Sequence, residues 1–195
     1  MIKAVIFDLN GIFIQAPKLG ERLTRDYGVD HAKFMPKLHE IMHQIRQPGA
    51  KSAFTYWGEA LKDWGVSFTE SDFWKYWFGA EVVSEKMVAF AKNLRTRGVK
   101  VFILSNNFKE RSQYYDQYPW VHEAVDKVYF SWQTGYVKPD VRAWQNVLKE
   151  NNLKPEDCIY FDDQERNLKA SAEVGIKAYH FTNEEELERI VNNHL

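Results

Sequence analysis

Short apolar runs alternate with amphipathic stretches from residue 84 to the C-terminus, and this alternation constrains the fold more than any other feature of the sequence. The runs Val99 to Leu104, Val128 to Phe130 and Cys158 to Phe161 are rich in β-branched and aromatic residues, as is Ala4 to Phe7 near the N-terminus. Lys177 to Phe181 is a weaker fifth run. Between them lie helical signals. Ser84 is placed to cap a helix whose stripe is Met87, Phe90, Ala91 and Leu94, with Gly98 as terminator. Pro139 suits the first turn of a helix carrying Val141, Trp144, Val147 and Leu148, and Asn183 with Glu186 suits a capping box for a last helix. Alternating strand and helix predicts parallel strands joined by right-handed crossovers, with helices on both faces. The fold class read from this pattern is α/β, a three-layer Rossmann-like parallel sheet. Ligands of such sheets bind beyond the carboxyl ends of the strands.

Residues 16–82 interrupt the pattern. They show only helix-like segments, at roughly 18–27, 31–46, 52–64 and 69–78, separated by Gly28, Pro48-Gly49 and Gly65. The expected organisation is an α/β core of residues 1–15 and 83–195 with an inserted α-helical domain over 16–82. Aromatic residues crowd the insertion from Phe54 to Phe78, where Trp57/Trp64 and Phe73/Trp77 recur at helical spacing, as packing requires.

Composition excludes several roles. With 26 Lys+Arg against 27 Asp+Glu and a formal charge of -1, the chain has no electrostatic footprint for a nucleic-acid backbone. No stretch approaches the about 18 consecutive apolar residues of a membrane span, and the N-terminus enters strand-like sequence at once. The one cysteine, Cys158, sits within an apolar run and reads as a buried strand residue. A cytoplasmic location, with neither nucleic acid nor membrane as partner, is the expectation.

Four motifs fall directly at strand ends. Phe7-Asp8-Leu9-Asn10-Gly11 ends the first run with a carboxylate and a turn-permitting glycine. Leu104-Ser105-Asn106-Asn107 supplies a hydroxyl and backbone N–H groups suited to an anion. Gly135-Tyr136-Val137-Lys138-Pro139-Asp140 sets a cation before a helix, and Phe161-Asp162-Asp163 returns paired carboxylates with Asn167 four residues on. Each by itself is what an ordinary helix cap looks like. Together, carboxylate, hydroxyl, lysine and paired carboxylates are the set that a magnesium-assisted attack on a phosphoryl group needs.

In these four motifs and their order the chain resembles the haloacid dehalogenase superfamily, in particular its phosphatase-like branch with a small helical cap. That branch includes glucose-1-phosphate phosphatases and the N-terminal domain of soluble epoxide hydrolase. The resemblance implies that Asp8 is a nucleophile forming an aspartyl-phosphate and that the substrate is a small phosphorylated metabolite. It also implies that Asp8, the Asn10 carbonyl and Asp163 hold Mg²⁺, and that Ser105 and the Asn106 N–H bind phosphoryl oxygens. By the same resemblance Lys138 neutralises charge between Asp8 and the phosphate. Asp162 orients Lys138 or a metal-bound water, and Asn167 is either its supporting partner or a polar helix residue.

The departure is Asn10. Phosphatase members usually carry aspartate there as general acid and base, a function worth roughly 10²–10⁴-fold, whereas an amide has no titratable proton. Three readings stand side by side: a slow or specialised phosphatase, which is favoured, a silent phosphate-ligand binding or regulatory protein, and an engineered Asp→Asn trap. A 2-haloacid dehalogenase is disfavoured, since that branch normally has tyrosine at this position and the Asp162-Asp163 pair is intact. His39 and His43 read as a solvated helix face. Arg22, Arg25, Arg46 and Lys51 read as surface charges, with room among them for one contact to an anionic substrate.

Overall fold

The computed structural model describes residues 1–195. Strand β1 (Ala4–Phe7) is followed by β2 (Ile14–Gln15), then by helices α1 (Leu19–Tyr27), α2 (His31–Ile45), α3 (Ala53–Asp63) and α4 (Glu70–Phe78). The chain returns through β3 (Val82–Val83) to α5 (Glu85–Thr96), β4 (Lys100–Ser105), α6 (Lys109–Asp116), α7 (Trp120–Glu123), β5 (Lys127–Phe130) and α8 (Ser131–Thr134). It ends with α9 (Arg142–Glu150), β6 (Cys158–Asp162), α10 (Glu165–Glu173), β7 (Lys177–His180) and α11 (Glu184–Asn192). No helix is long and apolar enough to cross a membrane.

Five of the seven strands form one parallel sheet in the order β5-β4-β1-β6-β7, as the alternation predicts. Successive side chains of a strand point to opposite faces, and here both faces are buried. Val5, Phe7, Val101, Ile103, Ile159 and Phe161 pack on one side with Met87, Ala91 and Leu94 of α5 and Leu187 and Val191 of α11. Ala4, Ile6, Phe102, Leu104, Cys158 and Tyr160 pack on the other with Trp144, Val147 and Leu148 of α9 and Ala170 of α10. Both caps expected for α5 and α11 form: Ser84 Oγ accepts from the Met87 N–H at 3.1 Å, and Asn183 Oδ1 accepts from the Glu186 N–H at 2.9 Å.

Helices α1 to α4 have a separate apolar cluster built on Leu23, Phe34, Trp57, Leu61, Phe73 and Phe78. Their bounds lie within a residue of the segments expected from the sequence. Gly20 makes the α1–α2 approach possible, because a Cβ there would stand 2.6 Å from the Phe34 ring. The insertion joins the sheet through a feature the sequence did not announce, an antiparallel pair of β2 with β3 in which Ile14 faces Val83. One expected helix start is corrected. Helix α9 begins at Arg142, and Pro139 lies in the preceding turn, where Asp140 accepts from the Ala143 and Arg142 N–H groups through its carbonyl and carboxylate respectively.

Candidate active site

Because β1 is central and the chain leaves it for β4 on one side and β6 on the other, a crevice opens at their carboxyl ends. The parallel register sets Phe7 opposite Ile103 and opposite Phe161, so Asp8, Ser105 and Asp162 emerge together at neighbouring strand ends. The Asp8 N–H donates to the Phe161 carbonyl at 2.9 Å, which carries the ladder one residue beyond β1 and holds this aspartate level with Asp162. Asp8, Asp162 and Lys138 are all buried.

The Lys138 ammonium joins these groups. Its Nζ lies 2.9 Å from Asp8 Oδ1, 2.8 Å from Asp162 Oδ2 and 3.0 Å from the Tyr160 hydroxyl, using its three donors on three oxygens. Tyr160 in turn donates to Asp162 Oδ2, and Asn167 Nδ2 donates to both Asp162 oxygens at 3.1 and 3.0 Å. Asn106 clamps the Lys138 backbone through its carboxamide, while its own N–H is taken up by no backbone carbonyl. The Asn107 N–H, in contrast, is occupied by Ser131 Oγ at 3.1 Å, so this part of the expected row of free N–H groups is already paired.

Burial dominates the electrostatics. It pushes the Asp8 carboxyl up to about 6, with the nearby Asp162 charge adding to the rise and the Lys138 ammonium opposing it. Burial also acts upward on Asp162, yet the charge and hydrogen bond of Lys138 with the Tyr160 hydrogen bond hold it below the usual carboxylate range. Asp163 is raised, by burial first and by Asp162 second.

Ligand oxygens of Asp8, Asp162 and Asp163 all lie within 4.8 Å of one another. An all-oxygen, strongly anionic set fits a hard divalent cation such as Mg²⁺. Both Asp162 oxygens are taken, Oδ2 by Lys138 and Tyr160 and Oδ1 by the Gln164 N–H and Asn167, whereas Asp8 engages Lys138 through Oδ1 alone, so Asp8 and Asp163 are the carboxylates better free to serve it. Gly11 keeps this corner open: it turns the chain at φ +97°, and a Cβ there would come within 3.1 Å of Asp163 Oδ2.

A cavity of about 450 Å³ rises from these groups. Its floor includes Asp8, Asn10, Ser105, Asn106, Lys138 and Asp163. Its walls come from the insertion, with Leu19, Phe34, Met35, Leu38 and Met42 lining it together with Trp77. Asn167 also borders the cavity, and Asn10 Nδ2 donates to the Tyr115 hydroxyl at 3.2 Å.

Several participants escaped sequence reasoning. Tyr160 looked like an ordinary strand aromatic, and Tyr115 carried no motif. Arg46 is not an ordinary surface charge: it is half-buried and lines the cavity, with its Nε sealed from solvent and unpaired. Of the crowded aromatics only Trp77 reaches the cavity, and Trp57 and Phe73 are packing residues. His39 and His43 are exposed on α2, as read from the sequence.

Known proteins resemble this chain in sequence and in fold. A sesquiterpene phosphatase of Aspergillus oryzae is 24% identical over 198 aligned residues, covering 92% of this chain and 90% of that protein. A D-ribitol-5-phosphate phosphatase of Bacteroides thetaiotaomicron is 22% identical, covering 92% and 91%. A haloacid dehalogenase family enzyme of the same bacterium, solved as the wild-type protein with magnesium and inorganic phosphate, superimposes with a TM-score of 0.79 at 20% identity over 93% of this chain and 95% of that one. Residues 2–175 match the haloacid dehalogenase-like hydrolase family, and the chain belongs to it.

Proposed function

We propose that this protein hydrolyses a small phosphomonoester in the cytosol, with Asp8 as nucleophile and Mg²⁺ as cofactor. One observation carries the reading: a buried lysine bridges Asp8 to Asp162 at 2.9 and 2.8 Å, beside a third carboxylate, on the floor of a cavity. The magnesium and phosphate complex of the related bacterial enzyme supports it.

An Asp8 carboxylate oxygen attacks phosphorus, the bond to the leaving oxygen breaks, and an aspartyl-phosphate remains until water attacks it. Lys138 draws charge from the phosphoryl oxygens while Asp162, Tyr160 and Asn167 keep its ammonium in place. Ser105 and the Asn106 N–H hold the other phosphoryl oxygens. Asp8, Asp163 and the Asn10 carbonyl would hold Mg²⁺, which neutralises charge on the phosphate and on the attacking carboxylate. Residues 16–82 act as a cap whose cavity wall selects the leaving group and shields the intermediate from bulk water.

Asn10 weakens the proton-transfer step. Its amide donates a hydrogen bond to a leaving oxygen but cannot give up a proton, so alcohols of high pKa leave slowly. The same residue is what favours the second reading, a protein that binds Mg²⁺ and a phosphorylated ligand without turnover.

A screen over sugar phosphates, nucleotides and acyl phosphates with Mg²⁺ tests the reading, together with intact-mass detection of a phosphoryl adduct after rapid quench. Hydrolysis lost in Asp8→Asn supports the mechanism. Full activity in folded Asp8→Asn would refute it.

A further inference from the structure

Arg46 caps the C-terminus of α2 on the cavity wall facing the catalytic floor. Leu38, Met42 and Arg46 recur at four-residue spacing, so they share one face of the helix, and all three line the cavity with Met35. The inward face of α2 is thus an apolar stripe with one guanidinium at its end. That guanidinium makes no hydrogen bond or ion pair, and its Nε is sealed from solvent. The side chain is half-buried with only its Nε sealed off, so the charge is partly desolvated, has no protein partner, and is left able to take an anion.

The other cations around the cavity already have protein partners. Arg111 donates to Glu81 at 2.8 and 2.5 Å and lies over the Trp77 and Tyr115 rings. Lys138 is held by Asp8 and Asp162. Arg166 is exposed and donates to Gln164, and Lys18 is exposed beside Glu21. Burial first, and then the like charges of Arg111 and Arg166, lower the Arg46 guanidinium to about 10, while Asp8 is the acidic group that opposes the fall. Arg46 therefore stays charged at neutral pH. The protein has made no partner for it.

The transferred phosphoryl group is served by the strand ends, through Ser105, Asn106 and Lys138, whereas Arg46 belongs to the wall along which a leaving group must lie. We infer that Arg46 binds a second anionic group on the substrate, a carboxylate or a further phosphate, so that the preferred substrates are phosphomonoesters whose leaving group carries a negative charge beyond an apolar segment. The inference rests on the phosphatase reading for the word substrate, but the anion subsite can be measured without turnover.

The test is calorimetric titration, in Mg²⁺, of three non-hydrolysable probes: propylphosphonate, 3-phosphonopropionate and propane-1,3-bisphosphonate. The parent should bind one or both of the doubly anionic probes about 10- to 100-fold more tightly than propylphosphonate, the range expected of a charge-assisted contact, and which of them gains separates carboxylate from phosphate. Arg46→Met should erase that preference and leave propylphosphonate affinity unchanged. It should also melt no lower than the parent, since it removes a half-buried charge that no protein group pairs. Equal weakening of all three probes would assign Arg46 to the transferred phosphoryl group, a lower melting temperature without loss of preference would make it a structural residue, and no preference in the parent would show that the subsite takes no anion. Each of these overturns the inference. Hydrolysis is scored separately: a parent that hydrolyses nothing but shows the Arg46-dependent preference loses the phosphatase reading and keeps the subsite, and the reverse pattern does the opposite.

Discussion

Asn106 holds the backbone of Lys138 from both sides: its carboxamide nitrogen donates to the Lys138 carbonyl at 2.7 Å, and its carboxamide oxygen accepts from the Lys138 N–H at 2.7 Å. The residue after β4 thereby fixes the main chain that carries the buried ammonium. The ammonium then has short reach to Asp8, Asp162 and Tyr160, and little freedom to leave them.

Loosening that clamp should loosen the ammonium. Asn106→Ala is expected to lower kcat by about 10- to 100-fold, the range found for residues that position a catalytic group, with a folded protein and an unaltered intact mass. Steady-state kinetics beside a melting curve checks this. An unchanged kcat would show that Lys138 is positioned by its carboxylates alone.

Asp8 should destabilise the metal-free protein at neutral pH. Its folded carboxyl is raised from 3.8 to about 6 by burial, so the folded state binds the proton more tightly than the unfolded chain does. The associated stability is present below the unfolded value and is lost as pH rises through about 6. In EDTA at pH 7.5, Asp8→Asn should therefore be more stable than the parent by about 2–3 kcal/mol, and the gap should close by pH 4. Thermal melts at several pH values read the difference directly. A variant less stable than the parent at pH 7.5 would mean that the Lys138 pair outweighs the burial of the charge.

Magnesium should raise the melting temperature of the parent by mass action, and Asp163→Ala should diminish that shift. Gly11→Ala provides a second probe, since the added Cβ strains a backbone at φ +97° and presses within 3.1 Å of the Asp163 carboxylate. Its Mg²⁺ affinity should fall by about tenfold or more. Equal shifts in parent and both variants would place the metal elsewhere.

Asn10→Asp should raise turnover of alkyl phosphomonoesters by a substantial part of the roughly 10²–10⁴-fold that general acid–base catalysis supplies. The structure is ready for it: the Tyr115 hydroxyl that accepts from Asn10 Nδ2 at 3.2 Å can reverse and donate to a carboxylate. With aryl or acyl phosphates the parent should accumulate a phosphoryl adduct in quenched intact-mass spectra, and Asn10→Asp should show less of it. No gain in a folded, Mg²⁺-binding Asn10→Asp would favour the silent binding protein.

What the sequence by itself determined is local and periodic. Alternating strand and helix signals specified a parallel α/β sheet, helical periodicity set α1 to α4 within a residue of their bounds, and Ser84 and Asn183 made the caps expected of them, because periodicity and capping depend on residues a few positions apart. The motifs at the ends of β1, β4 and β6 were visible for the same reason. Only the tertiary structure decided which groups meet. Tyr160 touches Lys138 from 22 residues away, Asn106 from 32 and Tyr115 touches Asn10 from 105, distances along the chain at which no periodic signal survives. Arg46 looks like any surface arginine until the last turn of α2 is packed over the strand ends. Packing then seals its Nε from solvent and leaves the guanidinium on the cavity wall with no acidic group paired to it, a combination that only the assembled tertiary structure sets.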